Sequence, residues 1–152
     1  MSPGLRFLHV LADGWSSAGL ILLAGGVLGR GFCLRRTLSV REARMVRRSD
    51  RLLWIGALVH FTGGIGLHFL VTSTGGWEGH PWIRLPVLVA LLGLDVWPAR
   101  RFRSWARHLD LNQVPYHTDR DHDRMYRLWQ LQVALLFVLP LLQPVGARSY
   151  GP

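Results

Sequence analysis

Phe7-Leu8-His9-Val10-Leu11-Ala12-Asp13-Gly14-Trp15-Ser16-Ser17 opens the first apolar run of the chain. Its composition is that of a helix entering a membrane, yet it carries two ionisable side chains. His9 and Asp13 are four residues apart and so lie on one side of that helix. Ionisable groups are costly in hydrocarbon; they normally face the interior of a bundle and find partners there.

Working outward, the run continues to Leu28, and a span over 7–28 is long enough to cross ~30 Å of hydrocarbon at ~1.5 Å per residue. It is rich in small residues, and Gly25 and Gly29 form a GxxxG pair that predicts close packing with a neighbouring helix. Three further spans are predicted over 52–71, 82–98 and 124–145, the last fed by a helix that starts near Asp119. Between them lie arginine-dense stretches, Arg30 to Arg51 and Arg100 to Arg107. Ser39 and Glu42 have capping-box spacing, which predicts a short basic surface helix within the first stretch. Pro86 falls in the first turn of span three, where its missing N–H is tolerated, and Pro140 predicts a kink in span four. The pattern is an all-α integral membrane four-helix bundle, one domain of 152 residues.

Charge sets the topology. All 18 basic residues are arginine, and both dense clusters fall on one side of the predicted membrane. The positive-inside rule places those clusters in the cytoplasm of a bacterial cell, with the N-terminus and the C-terminus outside and the chain multi-pass in the cytoplasmic membrane. The net charge of +9 does not imply nucleic acid, because the arginines flank apolar spans; anionic lipid headgroups of the bilayer are their natural counter-charge. A cleaved signal peptide is not expected, since the dense charge follows the first apolar run instead of preceding it. The single cysteine, Cys33, excludes a disulfide within the chain and a CxxC site.

In this topology His9, His68 and Arg84 come to about one level near the outer surface, His80 sits in the outer turn, and Asp13 lies ~6 Å deeper than His9. Two histidines in a membrane bundle suit a b-type haem, with imidazole ligating the iron. His9 and His68 are then the axial (metal) ligands, Asp13 orients His9, and Arg84 holds a propionate. The same groups also make sense structurally, with His9 donating to Asp13, Asp13 paired with Arg84, and His68 capping a polar patch. His60, deeper in span two, reads as a histidine bonded to a neighbouring helix or as a proton-relay step. The run His117-Thr118-Asp119-Arg120-Asp121-His122-Asp123 looks metal-binding, but Thr118 has the place of an N-cap and the acids complement the helix dipole. Most tryptophans fall near predicted interfaces, as an aromatic belt does.

The Leu8-His9-Val10-Leu11 start with Trp15 resembles that of small four-span bacterial membrane proteins. These include HemJ-type protoporphyrinogen oxidases, the CopD copper-resistance domain and uncharacterised relatives, to which the chain is most similar. Arg48-Ser49-Asp50-Arg51, Thr62-Gly63, Trp82-Ile83-Arg84-Leu85 and Arg127-Leu128-Trp129 extend the likeness along nearly the whole chain. The resemblance implies haem binding at His9. It also implies a functional basic residue at the start of span three, lysine in the oxidases and Arg84 here; a guanidinium does not titrate near neutral pH as a desolvated lysine can. CopD-like copper transport is disfavoured because Met1, Met45 and Met125 lie outside the apolar parts of the spans, the last of which runs from about Leu128. Two functions are therefore expected. One is a haem-b-binding electron carrier or HemJ-like oxidoreductase. The other is a non-catalytic accessory subunit of a larger respiratory or photosynthetic membrane complex, packed against other subunits or another copy of itself.

Overall fold

The computed structural model describes residues 3–34, 38–73, 81–116 and 118–141, with backbone alone at 67–73 and 81–84. Four helices follow one another: α1 Pro3–Cys33, α2 Val40–Ser73, α3 Pro81–Asp110 and α4 Asp119–Leu141. No strand occurs among the described residues. Among the described residues, α1 alone is long and apolar enough to cross a membrane. Only 17% of its most apolar stretch is buried, unlike the core helix of a water-soluble protein.

The arginine-dense stretches are largely helical. The capping box forms as expected, Glu42 N donating to Ser39 Oγ at 3.2 Å and Ser39 N to Glu42 Oε2 at 2.8 Å. The helix it starts is not a short surface element, however; it runs unbroken for 34 residues to Ser73. Nothing between Arg41 and Leu53 breaks a helix, and arginine is a good helix former. Likewise α3 passes through Pro98 to Asp110, where Asn112 takes a left-handed conformation (φ 57°). Gln113 N donates to His108 O at 2.8 Å and Asn112 N to Leu109 O at 3.2 Å, the two bonds of a Schellman cap. Arg44 donates to the Asn112 side chain at 2.8 Å and so ties the start of α2 to this cap. At α4, Thr118 Oγ1 accepts from Asp121 N at 3.1 Å, the N-cap anticipated from the sequence. Pro140, expected to kink span four, lies inside α4, which stays helical through it to Leu141.

The α1–α2 seam is the tightest contact. On α1 the buried positions Ser16, Gly19, Leu23, Gly26 and Arg30 follow 3-4-3-4 spacing, and on α2 Leu53, Gly56, His60 and Gly63 face them. That spacing keeps one face turned to an antiparallel neighbour. A Cβ placed on Gly63 would lie 2.6 Å from Ser16 N, and one on Gly26 would lie 2.7 Å from Leu53 Cα, so a larger residue at either position forces the backbones apart. The anticipated pair is thus corrected: Gly25 faces open space, and Gly29 meets only the Ser49 side chain. Steps of three and four hold a seam in phase over many turns, whereas steps of four drift off it.

Two apolar cores result. One joins Leu23, Val27, Leu53, Ala57, Leu91 and Leu136 at the level of the apolar runs. The other, built by the basic extensions, gathers Leu38, Val46, Phe102, Trp105, Leu109 and Met125. Between them lies a polar layer.

Candidate functional site

The polar layer takes one residue from each helix: Arg30, Asp50, Asp95 and Gln132. Arg30 continues the buried phase of α1 and is 2% exposed, while Asp95 and Gln132 are fully buried. Arg30 Nη1 donates to Asp95 Oδ1 and Nη2 to Gln132 Oε1. The Gln132 amide donates in turn to Leu91 O at 3.1 Å and to Asp95 Oδ1 at 3.3 Å. Asp50 Oδ1 lies 3.5 Å from Arg30 Nη1, and the guanidinium sits over the Phe102 ring, 5.6 Å from its centre. Beside the layer, Trp129 Nε1 donates to Val27 O at 2.9 Å, its ring laid against Gly31.

The layer holds two carboxylates for one buried guanidinium. Asp50 Oδ1 and Asp95 Oδ2 are each enclosed without a hydrogen-bond donor among the described residues. Asp50, two residues outside the span drawn at 52–71, is pushed up to about 7 by burial and by the Asp95 carboxylate, with Arg30 and Arg103 pulling the other way.

His60 is resolved as a helix-to-helix bond. Its Nδ1 lies 2.9 Å from Ser16 O and 3.1 Å from Ser16 Oγ. A carbonyl only accepts, so Nδ1 carries the proton.

The outer end is arranged differently. His9 is half-buried and its Nδ1 is enclosed without a hydrogen-bond partner among the described residues. Asp13 is exposed, one residue (~100°) out of phase with Ala12, which meets Gly66 across the seam at 3.8 Å from an added Cβ. Ser16 faces Gly63, so the antiparallel register sets backbone position 68 beside residue 11, within ~3 Å of the level of His9. The side chains of His68 and Arg84, together with His80 and His117, lie outside the described residues. No group of three or more His, Cys, Asp or Glu placed to hold a metal ion occurs among the described residues. In the 117–123 run, His122 is buried and stacks on Tyr126 at 6.2 Å. Asp121 binds Arg101 at 3.0 Å; desolvation, the largest single influence, raises its carboxyl, but the Thr118 hydrogen bonds and Arg101 together hold it below the usual range.

The Arg30 layer is not evident from the sequence alone, because Arg30 opens an arginine-dense stretch that looks solvated. The usable signal was phase: Arg30 falls four residues after Gly26, on the line Ser16-Gly19-Leu23-Gly26. Asp95 and Gln132 each stand inside an apolar run at the same inner end.

A family model described as "Predicted membrane protein (DUF2214)" matches residues 5–151. No curated protein and no solved structure matches the chain.

Proposed function

Since the chain belongs to this family of predicted membrane proteins, we propose that it is a four-span, multi-pass accessory subunit of the bacterial cytoplasmic membrane, both termini outside, packed against a larger respiratory or photosynthetic complex. The observation that carries the reading is the unused face of α1. Asp13, Gly14, Ser17, Ala18 and Gly25 are all exposed there, and a Cβ on Gly14 or Gly25 would meet nothing within 4 Å. Small residues let a second helix approach closely, and a carboxylate turned outward within an apolar helix calls for a protein neighbour, since exposure to hydrocarbon costs about 2.5–3.5 kcal/mol near mid-membrane. By contrast, the ionisable groups at the inner end bond one another and hold the four helices together.

Solubilisation in mild detergent followed by native electrophoresis tests this. Migration with a larger assembly supports the accessory role; migration as a single chain in every mild detergent, while the membranes' other complexes survive, sinks it.

A second reading is favoured by the enclosed Nδ1 of His9, which has no hydrogen-bond partner among the described residues. It is a haem-b electron carrier or HemJ-like oxidoreductase with His9 and His68 as axial ligands, Asp13 orienting His9 and Arg84 on a propionate. When bound, haem b supplies one-electron chemistry. The glycine seam reaches Ala12 and Gly66, so this reading requires α1 and α2 to diverge outward of that level. A reduced α band that is lost in His9→Ala supports it; a colourless, folded protein overturns it.

A further inference from the structure

The inner end of α2 carries a groove that neither reading uses. Arg47, Asp50, Arg51, Trp54 and Ile55 line it from α2, at the 3-4 spacing of one helix face, and Phe102 and Arg103 close it from α3. It encloses about 360 Å³. Asp50 links its floor to the polar layer, 3.5 Å from Arg30.

Charge and apolar surface are separated along this groove. Arg47, Arg51 and Arg103 surround one carboxylate, and Arg103 already acts on Asp50. Arg47 and Arg51 have no ion-pair partner among the described residues, so two guanidinium forks remain open. One to two turns further along α2 the surface turns apolar, with Trp54 37%, Ile55 51% and Leu58 63% exposed. The change from arginine to aromatic and aliphatic falls at the predicted membrane boundary near Leu52. Guanidinium forks match phosphate oxygens in pairs, and the apolar continuation matches an acyl chain.

We propose that this α2–α3 groove is a binding site for an anionic phospholipid, its phosphate held by Arg47, Arg51 and Arg103 and one acyl chain laid along Trp54, Ile55 and Leu58. The site rests on the bundle crossing the membrane with its basic end at one face, but not on the accessory role. A lipid with a zwitterionic headgroup brings its own cation to the three arginines and binds more weakly.

The test uses the full chain purified in detergent, with native mass spectrometry counting bound lipid. Phosphatidylglycerol and phosphatidylcholine are titrated separately, and phosphatidylglycerol is titrated again with excess inorganic phosphate. Phosphatidylglycerol is expected to bind ~10-fold or more tightly than phosphatidylcholine. The double variant Arg47→Ala/Arg51→Ala should lose that preference at unchanged melting temperature. Arg41→Ala/Arg48→Ala, which removes equal charge from the same helix away from the groove, should keep it within about twofold. Equal binding of the two lipids, or equal loss in both double variants, overturns the site and leaves the membrane reading intact. Displacement of phosphatidylglycerol by inorganic phosphate overturns the lipid as occupant. A chain that fails to enter phosphatidylglycerol vesicles on reconstitution overturns the membrane reading itself.

Discussion

The two ends of α1 carry ionisable residues of opposite fate. At the inner end Arg30 is closed in by Asp95, Gln132, Asp50 and Phe102. At the outer end His9 Nδ1 has no hydrogen-bond partner among the described residues and Asp13 is exposed. Both ends belong to one continuous helix, so what separates them is helical phase. Arg30 falls on the 3-4-3-4 line of the glycine seam, His9 falls near its extension, and Asp13 is one residue off it. A charged residue on the seam is drawn into a network, whereas one off it finds no partner among the described residues.

The largest expected effect breaks the inner network. Arg30→Met leaves Asp95 buried beside a second carboxylate with no counter-charge, and removing one partner of a buried pair costs about 3–5 kcal/mol. The melting temperature in detergent should fall steeply. Adding Asp95→Asn should recover part of the loss, because the remaining amide needs no cation. An Arg30→Met protein that melts like the parent would mean that the layer does not hold the helices.

Packing phase gives the next contrast. Gly26→Leu places a side chain where even a Cβ lies 2.7 Å from Leu53 Cα, while Gly25→Leu points into open space. Overpacking costs about 1–3 kcal/mol, so the first variant should lose that much in a denaturant titration and the second close to none. Equal effects would remove phase as the explanation.

How much of this could be read beforehand follows from the same distinction. The four helices, both N-caps and the His60 bond to a neighbouring helix follow from short-range patterns, apolar runs and capping residues that act within one turn. The Arg30 layer joins positions 30, 50, 95 and 132, and only the packing of all four helices shows that they share a level. The second core was hidden for a related reason. Arginine-dense stretches look like solvated loops, but in α3 Phe102, Trp105 and Leu109 recur at helical spacing between the arginines and turn one face inward. His9 and Asp13 stood out as ionisable residues in an apolar run; what four-residue spacing leaves open is where the seam runs beside them.

Proton occupancy distinguishes the inner layer on a finer scale. The raised value of Asp50, about 7, exceeds its unfolded value of about 3.9. The folded form therefore holds a proton that the unfolded chain has already released. This contribution is full below about pH 4 and is lost as pH rises through about 7. Asp50→Asn imitates the protonated carboxyl at every pH. Parent and variant should thus melt together below about pH 4, and the parent should fall progressively below the variant as pH rises to about 7. Parallel curves across that range would show that Asp50 does not hold a proton in the folded layer.

The smallest expected effect on stability is the most informative about function. Asp13 is exposed and forms no bond seen among the described residues, so Asp13→Leu should shift the melting of the isolated chain by no more than about 0.5 kcal/mol. The same holds for Ala18→Trp, one turn along the exposed face. If that face docks on another subunit, both variants should lose comigration with the larger assembly, because one deletes the carboxylate the neighbour must satisfy and the other fills the space its helix needs. A haem ligated at His9 would respond otherwise, with Asp13→Leu moving the reduction potential and Ala18→Trp leaving it unchanged. Comigration lost together in both variants, at unaltered stability and without any visible absorption band, assigns the outer end to a partner. A shifted potential in the Asp13 variant alone assigns it to the cofactor.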